Sequence, residues 1–259
     1  MQKRTVHNDI LTQMMNIGEA MLTSGSSVNR VEEILKKMGR AYGAIHMNVF
    51  VITSCVIVTI CFEDEIELTQ TRRISGPGGS DFSKVEAYSR LCERCCRQPM
   101  AVEELAAEVE TIRNKKYSVP LLYVGSALAS GGFAVFFGGS LWDGLLAALI
   151  GMFICYFQKK LKGITPNYVV YLLLCAFASG LLITIMGKAA PFLHPDKIMI
   201  GDIMLLIPGI AMTNSVRDIL VGDTISGLMR LIETIVWAGA LACGFMIPMW
   251  LVSAGGGIW

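Results

Sequence analysis

The side chains best suited to chemistry in this chain gather in one apolar stretch, Gly201-Asp202-Ile203-Met204-Leu205-Leu206-Ile207-Pro208-Gly209-Ile210-Ala211-Met212-Thr213-Asn214-Ser215-Val216-Arg217-Asp218. Its hydropathy is that of a membrane segment, where an ionisable group is costly and marks a cavity, an ion path or a proton relay. Asp202 can carry a proton. Thr213 and Asn214 can hydrogen-bond a small polar solute, and Arg217 with Asp218 closes the stretch with opposite charges. Pro208 removes a backbone donor and frees carbonyls near Met204, while Gly209 leaves that backbone uncovered. Irregular backbone at membrane depth is tolerated where it lines a cavity. A broken helix of this kind offers helix ends and carbonyls to a small zwitterion or anion.

On an unbroken helix Asp202, Leu206, Gly209, Thr213 and Arg217 share one face, and Asn214 and Asp218 form the adjacent stripe. A plainer reading stays open beside this one: Pro208-Gly209 kinks a packing span, and Arg217-Asp218 lies among lipid headgroups. Asp202 is then either an acid near the outer interface or a proton-coupling group. Glu233 is a second titrating candidate, although its spacing from Arg230 favours an ion pair on the helix surface. Asp143, beside Trp142, reads as interfacial.

Other clusters carry less. Gly76-Pro77-Gly78-Gly79-Ser80-Asp81 precedes a helix and could cradle an anion, but it lacks the Lys-Ser/Thr ending of a nucleotide loop and the glycine spacing of a dinucleotide fold. A capping turn is the default. Cys92, Cys95 and Cys96 share a helix but lack the second Cys or His pair of a tetrahedral zinc site, so they read as small buried hydrophobes. His7 and His46 have no sequence-evident nucleophilic partners. No metal or cofactor is called for, and nothing points to an enzyme.

The rest of the chain has to position that stretch. Of 259 residues, 53% are hydrophobic, but the charges are unevenly divided. Residues 1–116 hold 15 of the 22 Lys and Arg and 15 of the 21 Asp and Glu, leaving 7 and 6 for the remainder. The first part has a soluble composition and the second a membrane composition. A net charge of +1 gives no basic face for nucleic acid. The polar N-terminus shows no signal-peptide core, so the soluble part is expected in the cytoplasm with its cysteines reduced.

In that soluble part, Ile10, Met14, Ile17 and Met21 predict an amphipathic helix ending near Gly25. Ser26-Ser27 offers caps for a second helix with Val28, Val31, Leu35 and Met38 on its apolar face. Residues 45–62 are rich in β-branched types and read as strands; a turn at Glu63-Asp64-Glu65 leads into a third over 66–74, giving a small antiparallel sheet. Ser80 or Asp81 caps a helix over Val85, Tyr88, Leu91 and Cys92, and a last helix covers about 101–116.

Five apolar stretches, 117–137, 141–158, 166–187, 198–216 and 229–252, meet or approach the ~20 residues needed to span a bilayer. The expected architecture is an α+β cytosolic domain, 1–115, followed by an all-α membrane domain with five transmembrane helices, 116–259. Arg113, Lys115, Lys116, Lys159, Lys160, Lys162, Arg217 and Arg230 fall on one side, against Lys188 and Lys197 on the other. By the positive-inside rule the N-terminal domain is cytoplasmic and the C-terminus outside, in the plasma membrane. Secondary transporters are built from paired repeats, so an odd count predicts a second five-span membrane subunit or a homo-oligomer. Gly125, Ser126, Ala127, Ala129, Ser130, Gly131 and Gly132 read as close helix packing.

Two stretches carry a family resemblance. Gly18-Glu19-Ala20-Met21-Leu22-Thr23-Ser24-Gly25 leads into Val28-Asn29-Arg30-Val31-Glu32, and Leu206-Ile207-Pro208-Gly209 runs to Thr213-Asn214-Ser215-Val216-Arg217-Asp218, then Gly222-Asp223 and Gly227-Leu228-Met229-Arg230. With these the chain resembles the threonine/serine exporter family, and within it the larger partner of the two-chain exporters. The resemblance implies proton-coupled export of threonine and serine or, as in the two-chain succinate exporters, of a small dicarboxylate. A membrane-anchored hydrolase and a ligand sensor remain the contrasting readings, but a mere anchor needs no Pro-Gly break flanked by Asp and Asn.

Overall fold

A computed structural model describes residues 2–63, 66–74, 79–115, 118–161, 164–165 and 167–254. The chain packs as two compact units. One joins Met1–Lys116 with Ile210–Ile232, the other Tyr117–Gly209 with Glu233–Trp259. Packing thus assigns residues 210–232 to the unit of the N-terminal domain, which a division at residue 115 in chain order does not.

The first unit opens with α1 (Gln2–Thr23) and α2 (Val28–Ala41). Ile10, Met14, Ile17 and Met21 of α1 and Val28, Val31, Leu35 and Met38 of α2 are buried, as their spacing predicts. Gly25 ends the first helix with φ +94°, a conformation open to glycine at little cost. Ser26 N–H then reaches back to Met21 O at 3.0 Å. Ser27 occupies the N-cap of α2 with extended backbone, but its side chain makes no capping hydrogen bond. The expected cap is present in position only.

Three strands follow, β1 (Ala44–Ile52), β2 (Cys55–Phe62) and β3 (Glu67–Arg73), antiparallel in the order β1-β2-β3. Val51 faces Val56 and Val49 faces Val58, and this apolar face of the sheet is buried in one core with α1 and α2. The Glu32 carboxylate accepts Val51 N–H at 3.1 Å, and Arg72 pairs with Glu19 at 3.0 Å. Of the predicted turn, Glu63 is in place and Asp64-Glu65 lies outside the described residues, as do Gly76-Pro77-Gly78 of the glycine-rich loop.

In α3 (Phe82–Arg97), Asp81 caps the N-terminus by accepting Lys84 N–H at 3.0 Å. Burial pushes the thiols of Cys92 and Cys95 up from their ordinary range. Both side chains are buried in the core of this unit. Tyr88, fully buried, donates to Val109 O at 3.4 Å in α4 (Val102–Asn114).

The same unit takes in α9 (Gly209–Val221) from Ile210 on and the start of α10 (Thr224–Ala254). Gly222, at φ +103°, turns the chain between them, and Asp223 N–H bonds to Asp218 O at 2.8 Å. A side chain at Gly227 would lie 2.7 Å from Ser215 O, so the two helices meet backbone to backbone.

The second unit holds α5 (Val119–Phe136), α6 (Leu141–Leu161), α7 (Tyr168–Ala189), α8 (Pro195–Leu206) and the rest of α10. Among the described residues α5, α6, α7 and α10 are long and apolar enough to cross a membrane; α8 and α9 add a fifth span if taken as one broken segment. The break falls at Pro208, where it was predicted. Ile207 is extended, as a residue before proline prefers, and α8 closes with Ile207 N–H on Ile203 O at 2.9 Å. Of the small residues of α5, Ser130 and Gly131 are buried and a Cβ at Gly131 would lie 2.7 Å from Gly144 O of α6. Gly125 and Gly132 are exposed with open space beside them, so the close packing predicted for the whole run is seen at Ser130 and Gly131 and not at these two.

Candidate functional site

The described polar groups of the second unit centre on two acids. Asp202, on α8, is fully buried. Its Oδ1 is hydrogen-bonded to Ser130 Oγ of α5, and its Oδ2 is buried with no hydrogen-bond partner among the described residues. Ser130 Oγ also lies 2.9 Å from Ala147 O of α6. The neighbouring Gly201 makes this possible: a Cβ there would stand 2.9 Å from Ala134 Cβ and against Ser130 O, so a side chain would hold α8 off α5. Asp202 is therefore a carboxyl held between helices.

One hydroxyl proton on Ser130 faces two acceptors, Ala147 O and Asp202 Oδ1. A serine donates once. The set is completed when Asp202 itself carries a proton, donating to Ser130 Oγ while Ser130 donates to Ala147 O.

Asp143, in the first turn of α6, is fully buried within the protein, where four donors surround it: Ser140 N–H and Oγ, each at 2.7 Å, His194 N–H at 2.8 Å, and His194 Nδ1 at 2.9 Å. Asp143 N–H returns a bond to Ser140 Oγ at 3.2 Å. Ser140-Leu141-Trp142-Asp143 is thus a capping box at the start of α6, a signal legible in the sequence. The tie to His194, at the N-cap of α8, is long-range and has no such signal.

The remaining predicted residues lie at or beyond the break. Pro208 and Gly209 form the joint between α8 and α9. Thr213 and Arg217 are exposed on α9 and Asn214 is half-buried, donating through Nδ2 to Gly25 O at 3.2 Å. Asp218 is buried, and Arg230 of α10 pairs with it at 3.3 Å. That replaces the Arg230–Glu233 pair suggested by spacing. A buried carboxylate needs a counter-charge more than an exposed one does, and Glu233 is exposed. Asp202 belongs to one unit; Asn214, Asp218 and Arg230 belong to the other.

A family model described as "Putative threonine/serine exporter" matches residues 12–252. The chain is 22% identical over 245 residues to a "Threonine/serine exporter" of Corynebacterium glutamicum, covering 91% of this chain and 50% of that protein. It is 22% identical to a "Probable threonine/serine exporter" of Mycobacterium tuberculosis, covering 93% of this chain and 46% of that protein. The chain thus spans about half the length of these curated relatives. A "Probable succinate transporter subunit YjjP" of Klebsiella aerogenes is 23% identical over 81% of both chains. No solved structure matches the chain.

Proposed function

We propose, from the premise that this chain belongs to the threonine/serine exporter family, that it is one half of a proton-coupled exporter of small polar metabolites. Family membership supports a multi-pass membrane protein that moves solutes across the membrane rather than an enzyme that transforms them. Its exported solutes are threonine and serine in this reading. A small dicarboxylate is the second, favoured by the near-equal extent of this chain and its succinate-transporter relative. The pathway is completed by a second membrane subunit. The relatives of about twice this length, and a relative named as a subunit, support that division.

Asp202 is the coupling group, and the observation that carries it is the shared Ser130 hydroxyl, which accommodates one proton on the acid. Pro208, Gly209, Thr213, Asn214, Arg217 and Asp218 line the solute's path, and Glu233 is a secondary proton site. The Met1–Lys116 part faces the cytoplasm, where the basic residues Arg113, Lys115, Lys159 and Lys160 also lie.

The test is efflux from cells preloaded with threonine, serine or succinate precursors, with and without the second subunit. Wild-type protein plus partner is expected to export at least one class and to slow when the proton gradient is collapsed. Asp202→Asn should abolish gradient-driven efflux while the protein still folds. Efflux insensitive to both the gradient and Asp202→Asn would overturn the coupling assignment.

A further inference from the structure

The two stretches that carry the family resemblance meet in the first unit, at a helix start that is left open. Asn214 of α9 donates to Gly25 O, the carbonyl of the turn between α1 and α2. That turn is fixed: Gly25 has φ +94°, and a Cβ on it would stand 2.8 Å from Gly79 O. Gly79 N–H in turn bonds to Thr23 O at 2.6 Å, and Asp81 N–H to Ser24 O at 2.9 Å. The carbonyl facing Asn214 is thus held from both sides.

Two residues on, α2 begins without its usual closure. An N-cap serine normally accepts from an N–H of the first turn. Ser27 does not, and its Oγ is buried with no hydrogen-bond partner among the described residues. The residue is only 5% exposed. Ser26 Oγ reaches no further than Ser27 O, at 3.5 Å. No acid stands in the first turn of this 14-residue helix to offset its positive end. Arg30, in that first turn, adds a cation bonded to Ser89 Oγ at 3.0 Å. Unclosed amides, a partnerless buried hydroxyl and a nearby guanidinium are the set that takes an oxyanion.

We propose that the N-terminus of α2, with Ser27 and Asn214, is a binding site for the carboxylate of a small solute. The choice of a small carboxylate as ligand rests on the exporter reading; the geometry asks only for an anionic group. The carboxylate takes the first-turn amides and the Ser27 hydroxyl. Asn214, its Nδ2 committed to Gly25 O, keeps Oδ1 as an acceptor for the ammonium of an amino acid. A dicarboxylate uses the first half of the site and gains nothing from Oδ1.

The experiment is calorimetric titration of the full-length chain in detergent with L-serine, L-threonine and succinate, for wild type, Ser27→Ala and Asn214→Ala, alongside thermal unfolding. Ser27→Ala is expected to weaken binding of every probe by about tenfold, with an unchanged unfolding midpoint, because no cap bond is lost. A loss on Asn214→Ala confined to serine and threonine assigns the site to amino acids. An equal loss for all three overturns the role given to Asn214 Oδ1, since succinate has no ammonium to bind it. Affinities unchanged in both variants, or no binding of any probe by wild type, overturn the site. So does a loss in Ser27→Ala that tracks a lowered midpoint. Efflux with binding indifferent to both variants would discard this site and keep the exporter. Binding as described without efflux would do the reverse.

Discussion

Of the helix starts built on a serine, those of α6 and α2 are opposites. At α6, Ser140 and Asp143 close on each other, and His194 adds a main-chain and a ring nitrogen to the same carboxylate. At α2, Ser27 stands in the N-cap position and closes nothing. The same residue type gives a structural bracket in one place and unspent hydrogen-bonding capacity in the other. What separates them is the partner three residues on. Asp143 can reach back to the Ser140 amide, whereas Arg30 points its charge to Ser89. A helix end closed from within has nothing left for a ligand.

The largest blow to this contrast comes from Asp143→Ala. Removing it takes the acceptor from the main-chain N–H groups of Ser140 and His194 and from the side chains of both, and a loss of about 2 kcal/mol is expected from denaturant unfolding in detergent. A variant as stable as wild type would mean that the α6 bracket holds nothing. Gly25→Ala comes next. It places a Cβ in a left-handed turn and against Gly79 O, and should cost about 2 kcal/mol in the same measurement. Full stability there would show that the turn offering its carbonyl to Asn214 can relax.

Ser140→Ala removes one side of the capping box and should lower stability by about 1 kcal/mol. Ser27→Ala should change it by less than about 0.5 kcal/mol, since a hydroxyl without a partner contributes no cap. The two serine variants form a matched pair. Equal losses would erase the distinction between a closed and an open end, and a widening gap would sharpen it.

The local features were legible. The α1–α2 hairpin, the antiparallel sheet, the Asp81 cap and the break at Pro208 each follow from neighbours within a turn or from the period of apolar residues. The polar contacts were not, because each joins residues far apart in the chain. Ser130 meets Asp202, Asp143 meets His194, and Asn214 meets Gly25 only once helices have packed. Spacing also misdirected Arg230. Glu233 is one turn away, but burial at Asp218 outweighs proximity along the helix. The closeness of Gly201 to Ser130 was equally hidden, although it sets where the acid stands.

The Asp218–Arg230 pair bears on how the chain is made. Synthesis delivers Asp218 before Arg230, so α9 emerges carrying an acid whose counter-charge does not yet exist. Asp218 is buried, and a buried carboxylate without a counter-charge is costly. Once the turn at Gly222 has formed and Arg230 has arrived, the two charges cancel across the hairpin. The α9–α10 hairpin therefore gains its charge pairing only when the second of its helices has been made.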